Sequence, residues 1–257
     1  MRFWEDLSAP EFRSLSGPVV AVLPLGATEQ HGPHLAVSVD SDLVDAVIER
    51  AGAFVGADDP DVLVLPTLKI TKSGEHDRHP GTLSLTGDTL LAVLRDIAAS
   101  VRRAGIDRLC LLNGHGGNTA LLEMAVRDMR IAHDLIAVHC SWFGFADWDG
   151  VIDADALAVD LHGGDAETSP MLAAAPDKVD MSRAEDFRPA MLDWQADRIG
   201  LTGQAARPGW IIDDLNAKGA LGNASAATAE KGEALLSSAA AGFAAFLREF
   251  ALFDHRR

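Results

Sequence analysis

Short apolar runs rich in β-branched residues alternate along this chain with longer stretches of helical periodicity, and that alternation constrains the fold more than any other feature. Residues 18–25 (PVVAVLPL), 62–65 (VLVL), 108–113 (RLCLLN) and 135–140 (LIAVHC) read as strands. Apolar runs this short and continuous suit strands buried on both faces. Between them lie helical patterns at 40–54, 88–104 and 118–132. In the second, Leu90, Leu91, Leu94, Ile97, Ala98 and Val101 share one face, and Gly105 follows where a left-handed cap is favoured. A β-α-β-α order with such strands predicts an α/β fold, a three-layer α/β/α arrangement around a mainly parallel sheet. A closing helix is predicted over 227–250, and residues 1–257 read as a single domain.

Composition narrows the function. Lys plus Arg total 22 against 38 Asp plus Glu, a net charge of −16. This argues against nucleic acid, which needs clustered cations, and against an anionic membrane surface. The absence of Tyr excludes mechanisms that need a phenol. Cys110 and Cys140 lie in apolar stretches and read as buried, inert thiols. The N-terminus has no apolar signal region and no run looks long enough to cross a bilayer, so a cytoplasmic location is expected.

Ligands in parallel sheets bind beyond the carboxyl ends of the strands. The predicted strands run there into GATEQHGPHLAVSVDSD, KSGEHDRHPGT, NGHGGN and CSW, with HGGDAETS further on. Glu29 and His31, two apart in an extended segment, point the same way and suit a divalent metal. Asp40 reads as a further ligand or as a helix N-cap. His115 sits between glycines that allow a tight turn beside a ligand. A phosphate-cradling loop is the rival reading, although a P-loop lysine and the dinucleotide spacing are both lacking. Asn118 could simply cap the next helix. His162 is placed as a proton shuttle, and Glu167 starts a helix with Pro170 expected in its first turn.

These ordered motifs, LPLGATEQHGPHL with Asp40, HPGTLSL, NGHGGN, HGGDAETS and GNASAATAEKGE, resemble the creatininase family of metal-dependent amidohydrolases. The resemblance implies two divalent ions per chain, zinc or manganese with iron as a further option. Glu29, His31, Asp40 and His115 would be ligands, with Asp40 as the bridge. His162 would be the catalytic histidine, and Glu167 a catalytic or ligand acid. It also implies a small-molecule substrate and a homo-oligomer, a hexamer being a common family form.

Two departures stand out. The family's Tyr-Glu after the motif histidine, of which the Glu is a ligand, is Gly116-Gly117 here, so Glu167 or water is expected to substitute. A Trp four residues before the catalytic histidine is Ala158 here, which leaves Trp142, Trp148 or Trp210 to line the pocket. The NGHGGN form is similar to relatives that deformylate pyrimidine intermediates or trim a mycofactocin peptide.

The expected activity is therefore hydrolysis of an amide, cyclic amide or formamide C–N bond by metal-activated water, with His162 protonating the leaving nitrogen. A mycofactocin-type peptidase and a non-catalytic nucleotide-binding protein are the alternatives. Glu75, His76 and Trp142 are expected in the substrate pocket. His34 is expected to orient a ligand imidazole and His79 to stand behind the ligands, while His133, His139 and His255 read as incidental.

Overall fold

A computed structural model describes every residue except 57, 202 and 257. Five strands form the main sheet: β1 (Arg2–Phe3), β2 (Val19–Leu25), β3 (Asp61–Val64), β4 (Arg108–Asn113) and β5 (Ile136–Ser141). Their order is β1-β3-β2-β4-β5 and every pairing is parallel. Among the described residues the α-helices are α1 (Ala9–Arg13), α2 (Val39–Ala51), α3 (Gly87–Arg103), α4 (Thr119–His133), α5 (Ala154–Leu157), α6 (Asp165–Ala174), α7 (Ile212–Leu215) and α8 (Ala229–Leu252). The strands and long helices predicted from periodicity all form. Gly105 takes the left-handed conformation expected of it, at φ +85°.

The sheet is covered on both faces. Val20, Val22, Cys110 and Leu112 pack into one core with α2 and α8, to which Met171 of α6 also contributes. Their neighbours Ala21, Leu23, Leu109 and Leu111 join α3 and α4 in the other. This two-residue alternation lies hidden in the sequence because both faces are apolar, and all seven residues of β2 are buried.

α8 carries a window long and apolar enough to cross a membrane by length and composition, contrary to the reading of the sequence. Here half of that window is buried, and Leu236, Ala240, Phe243 and Leu247 pack in the core. Its approach to α6 depends on Gly232, where a Cβ would overlap the Ser169 carbonyl group. Lys231 adds an ion pair to Asp165 at 2.6 Å. Pro170 is the sixth residue of α6, one turn later than expected.

β2 leads towards β3 on one side, whereas β4 leads to β5 on the other. The chain therefore reverses direction between two adjacent central strands, where open α/β sheets place their ligands.

Candidate metal centre

The loop after β2 carries Glu29 and His31 and enters α2 at Asp40, while the loop after β4 carries His115. HGGDAETS brings His162 and Glu167 to the same point from the start of α6. All six side chains are buried: Glu29 and His31 are fully inaccessible and Glu167, the most open, is 7% exposed. Glu29 Oε1 lies 3.1 Å from His115 Nδ1, 3.6 Å from both His162 Nδ1 and His76 Nε2, and 4.0 Å from His31 Nε2. Asp40 divides its oxygens, with Oδ1 at 3.5 Å from His31 Nε2 and Oδ2 at 3.6 Å from His115 Nδ1. Glu167 Oε2 stands 3.7 Å from His31 Nε2 and accepts the Gly163 N–H at 2.6 Å.

Backbone carbonyls fix the imidazoles. His31 donates from Nδ1 to the Glu29 carbonyl at 3.0 Å, His115 from Nε2 to that of Lys72 at 2.9 Å, and His162 from Nε2 to that of Gln30 at 2.7 Å. In each neutral ring the other nitrogen is then a lone pair aimed at the carboxylates, the arrangement that prepares histidine for a metal. Glu29 Oε1 and Oε2, His31 Nε2 and Asp40 Oδ2 are buried without a hydrogen-bond partner. Lone pairs facing lone pairs out of water are costly unless a cation or proton lies between them. Three donor groups could hold a metal ion: Glu29–His31–His162, Glu29–Asp40–His115 and His31–Asp40–Glu167, each with ligand atoms within 4.8 Å of one another. Buried nitrogen and oxygen donors at this spacing fit divalent zinc or manganese.

The electrostatics point the same way. Burial alone would push His31 down, but Asp40, then Glu167 and Glu29, outweigh it and raise it to about 10. Burial opposes protonation of His115 too, and Glu29 ahead of Asp40 and Glu75 raises it to about 9. Burial, reinforced by Asp40 and Glu29, lifts Glu167 to about 7. Burial, then His31 and His76, holds His162 well below the ordinary imidazole range.

Other expectations change. Trp142 is not in the pocket: it is fully buried, stacked on Phe143 and packed into the core with α8. A short 3₁₀ turn, Trp142–Gly144, directly follows β5 and leaves the ring in the core shared with α2 and α8. The aromatic beside the centre is Trp210, whose ring meets His76 edge-on at 6.5 Å. With Lys72, Glu75, Gly116, Gly117, Pro208 and Gly209 it lines a cleft of about 340 Å³. Glu75 borders that cleft. His76 lies deeper, 2% exposed and facing Glu29.

His34 orients no ligand imidazole, because its Nε2 pairs with Thr168 Oγ1 at 3.0 Å and its ring stacks on Phe187. His79 pairs with Asp213 at 2.8 Å, tying its loop to α7 near Trp210. Asp40 makes no cap bond, since Ser38 occupies the N-cap position. Asn118 does not cap α4 with its side chain; it donates to Thr71 and Asn113 and accepts the Lys72 N–H, joining two of the loops. Gln30 was not singled out in the sequence, yet its amide donates to His76 Nδ1 at 2.9 Å and its carbonyl holds His162. Its position between two motif residues was the available signal. The glycine loop adjoins Glu29 and Glu75 through His115.

Fold and site define an α/β/α enzyme with a buried donor cluster, suited to divalent metal, at its topological switch point. A family model described as creatininase, creatinine amidohydrolase, matches residues 5–247. The Pseudomonas putida creatinine amidohydrolase is 36% identical, over 96% of this chain and 94% of its own length. The mycofactocin precursor peptide peptidase of Mycolicibacterium smegmatis is 34% identical, over 91% and 87%. A glutamate-to-glutamine creatininase variant of Zn-Zn type superimposes with a TM-score of 0.73 at 33% identity, over 96% of this chain and 97% of the other. A manganese creatininase does so with a TM-score of 0.72 at 32% identity, over 96% and 97%. The chain belongs to the creatininase family and is an amidohydrolase-type enzyme.

Proposed function

We propose that this chain hydrolyses a C–N bond of a small amide, cyclic amide or formamide with two divalent cations, zinc or manganese, bound per chain. Glu29, Asp40 and His115 would hold one ion and His31, Asp40 and Glu167 the other, with Asp40 shared. The carrying observation is the set of buried, unpartnered acid oxygens facing carbonyl-anchored imidazoles. When bound, such ions lower the pKa of water and polarise a substrate carbonyl. The zinc and manganese forms of the solved relatives support the choice of metals.

The chain's own groups supply the rest. His162 presents Nδ1 to the centre while Nε2 stays tied to Gln30, so Nδ1 is the atom that takes a proton and delivers it to the leaving nitrogen. Its depressed pKa makes the protonated ring a ready donor. Trp210 offers a flat apolar wall, and Lys72 with Glu75 a polar edge, which suits a small planar substrate. The putida relative favours a cyclic amide such as creatinine. A peptide substrate is the second reading, favoured by the mycofactocin peptidase and by the side-chain-free Gly116-Gly117 edge of the cleft. We also propose a homo-oligomer, which light scattering tests.

The deciding experiment loads the protein with zinc or manganese and screens creatinine, other cyclic amides, formamides and short peptides. Turnover of at least one class with about two metals per chain is expected. A folded protein that takes up neither metal refutes the proposal.

A further inference from the structure

Position 117, where the resemblance calls for an acid, cannot carry one in this arrangement. A Cβ on Gly117 would overlap both Glu75 Oε1 and His115 Nε2. The space is taken by a carboxylate that arrives from another loop. Glu75 Oε1 lies 3.7 Å from His115 Nε2, and the Glu75 side chain is 11% exposed. Its other oxygen accepts from Lys72 Nζ at 2.6 Å, and among the described residues no hydrogen bond falls on Oε1. The same loop clasps His115 a second time through the Lys72 carbonyl, which keeps Nδ1 turned towards Glu29 and Asp40. The acid oxygens beyond that nitrogen are buried and unpartnered.

We infer that Glu75 is a positioning acid of the metal centre, placed from the second loop behind the His115 imidazole, on its Nε2 side, in the space that position 117 leaves to it. Lys72 then has a defined part. It steadies one Glu75 oxygen and leaves the other facing the His115 ring. This inference rests on the metal reading above.

The test compares Glu75→Gln with Lys72→Met, because both break the same ion pair while only the first removes the acid. Metal per chain is measured by elemental analysis and zinc affinity by competition with a chelator, with circular dichroism as the check on folding. Glu75→Gln is expected to keep the zinc count but weaken affinity about tenfold to a hundredfold. Lys72→Met should keep the parent's zinc count and affinity. Glu75→Asp, which retracts the charge by one methylene, should fall between parent and Glu75→Gln, and it carries the test if the glutamine variant does not fold. Parent-like zinc binding in Glu75→Gln overturns the inference, and so does an equal loss in Lys72→Met, which would make the ion pair merely structural. If the parent itself binds no zinc, the metal reading falls first and this inference with it.

Discussion

Zinc binding by the metal-free protein should expel about two protons per chain near pH 7.5, one each from His31 and His115. The acids that would otherwise embrace a cation instead hold these rings protonated. Asp40, Glu167 and Glu29 outweigh burial to raise His31 to about 10, and Glu29 with Asp40 does the same for His115, to about 9. Both rings must become neutral to act as ligands. Each proposed site contains one of these rings, so apparent zinc affinity should strengthen by up to about tenfold per pH unit for each ion, about 100-fold for the pair, from roughly pH 7 to 8.5. Stability of the metal-free protein runs the opposite way. A raised histidine pKa contributes stability that is fully present below the unfolded value of about 6.5 and lost as pH rises through the folded value. Two such groups give a fall on the order of 2 kcal/mol per pH unit between about pH 7.5 and 9, which zinc should abolish. Calorimetry in buffers of different ionisation enthalpy counts the protons, and urea titrations of chelated protein measure the slope. Release of fewer than about half a proton, with flat affinity across this range, would refute the picture of imidazoles held charged by buried acids.

Gly232→Ala should cost about 1–3 kcal/mol in chemical denaturation, because its methyl group has only the Ser169 backbone to displace. Asn118→Ala should cost a similar amount, about 1–3 kcal/mol, by stranding buried partners at Thr71, Asn113 and Lys72, as read by urea unfolding. His162→Ala should keep metal and thermal midpoint yet lower kcat about 10²- to 10⁴-fold on whichever substrate the screen finds. Trp210→Ala should raise KM with unchanged metal content, since its ring borders the cleft outside the donor cluster.

The strands were legible because parallel strands buried on both faces have to be continuously apolar, in runs too short for a helix. The centre was legible because its residues cluster at the predicted strand ends, where chemistry is expected. What stayed hidden depends on where a chain turns after leaving the sheet. Trp142 directly follows a strand end and looked like a pocket wall, yet a short 3₁₀ turn leaves it buried. Trp210 sits in an irregular stretch with no periodicity to place it. Asn118 had a sufficient local explanation as a helix cap, so its bonds to Thr71 and Lys72 had no visible counterpart in the sequence. The part played by Gly117 appears only when Glu75 is seen to fill its side-chain space.

The manner of anchoring explains how so concentrated a set of acids can persist inside the protein. Glu29, Asp40 and Glu167 are buried together, and mutual repulsion would splay them if they stood on flexible loops. The imidazoles between them are held by the carbonyls of Glu29, Gln30 and Lys72, main-chain atoms that no side-chain substitution removes. Those carbonyls are themselves fixed: the Glu29 N–H bonds to the Val37 carbonyl, the Gln30 N–H to Thr82, and the Lys72 N–H to Asn118. The site thus inherits rigidity from backbone beyond the carboxyl ends of the central strands, which holds the donors in place before a cation arrives. Burial that would be costly with mobile groups becomes here a reserve of electrostatic free energy that metal binding releases.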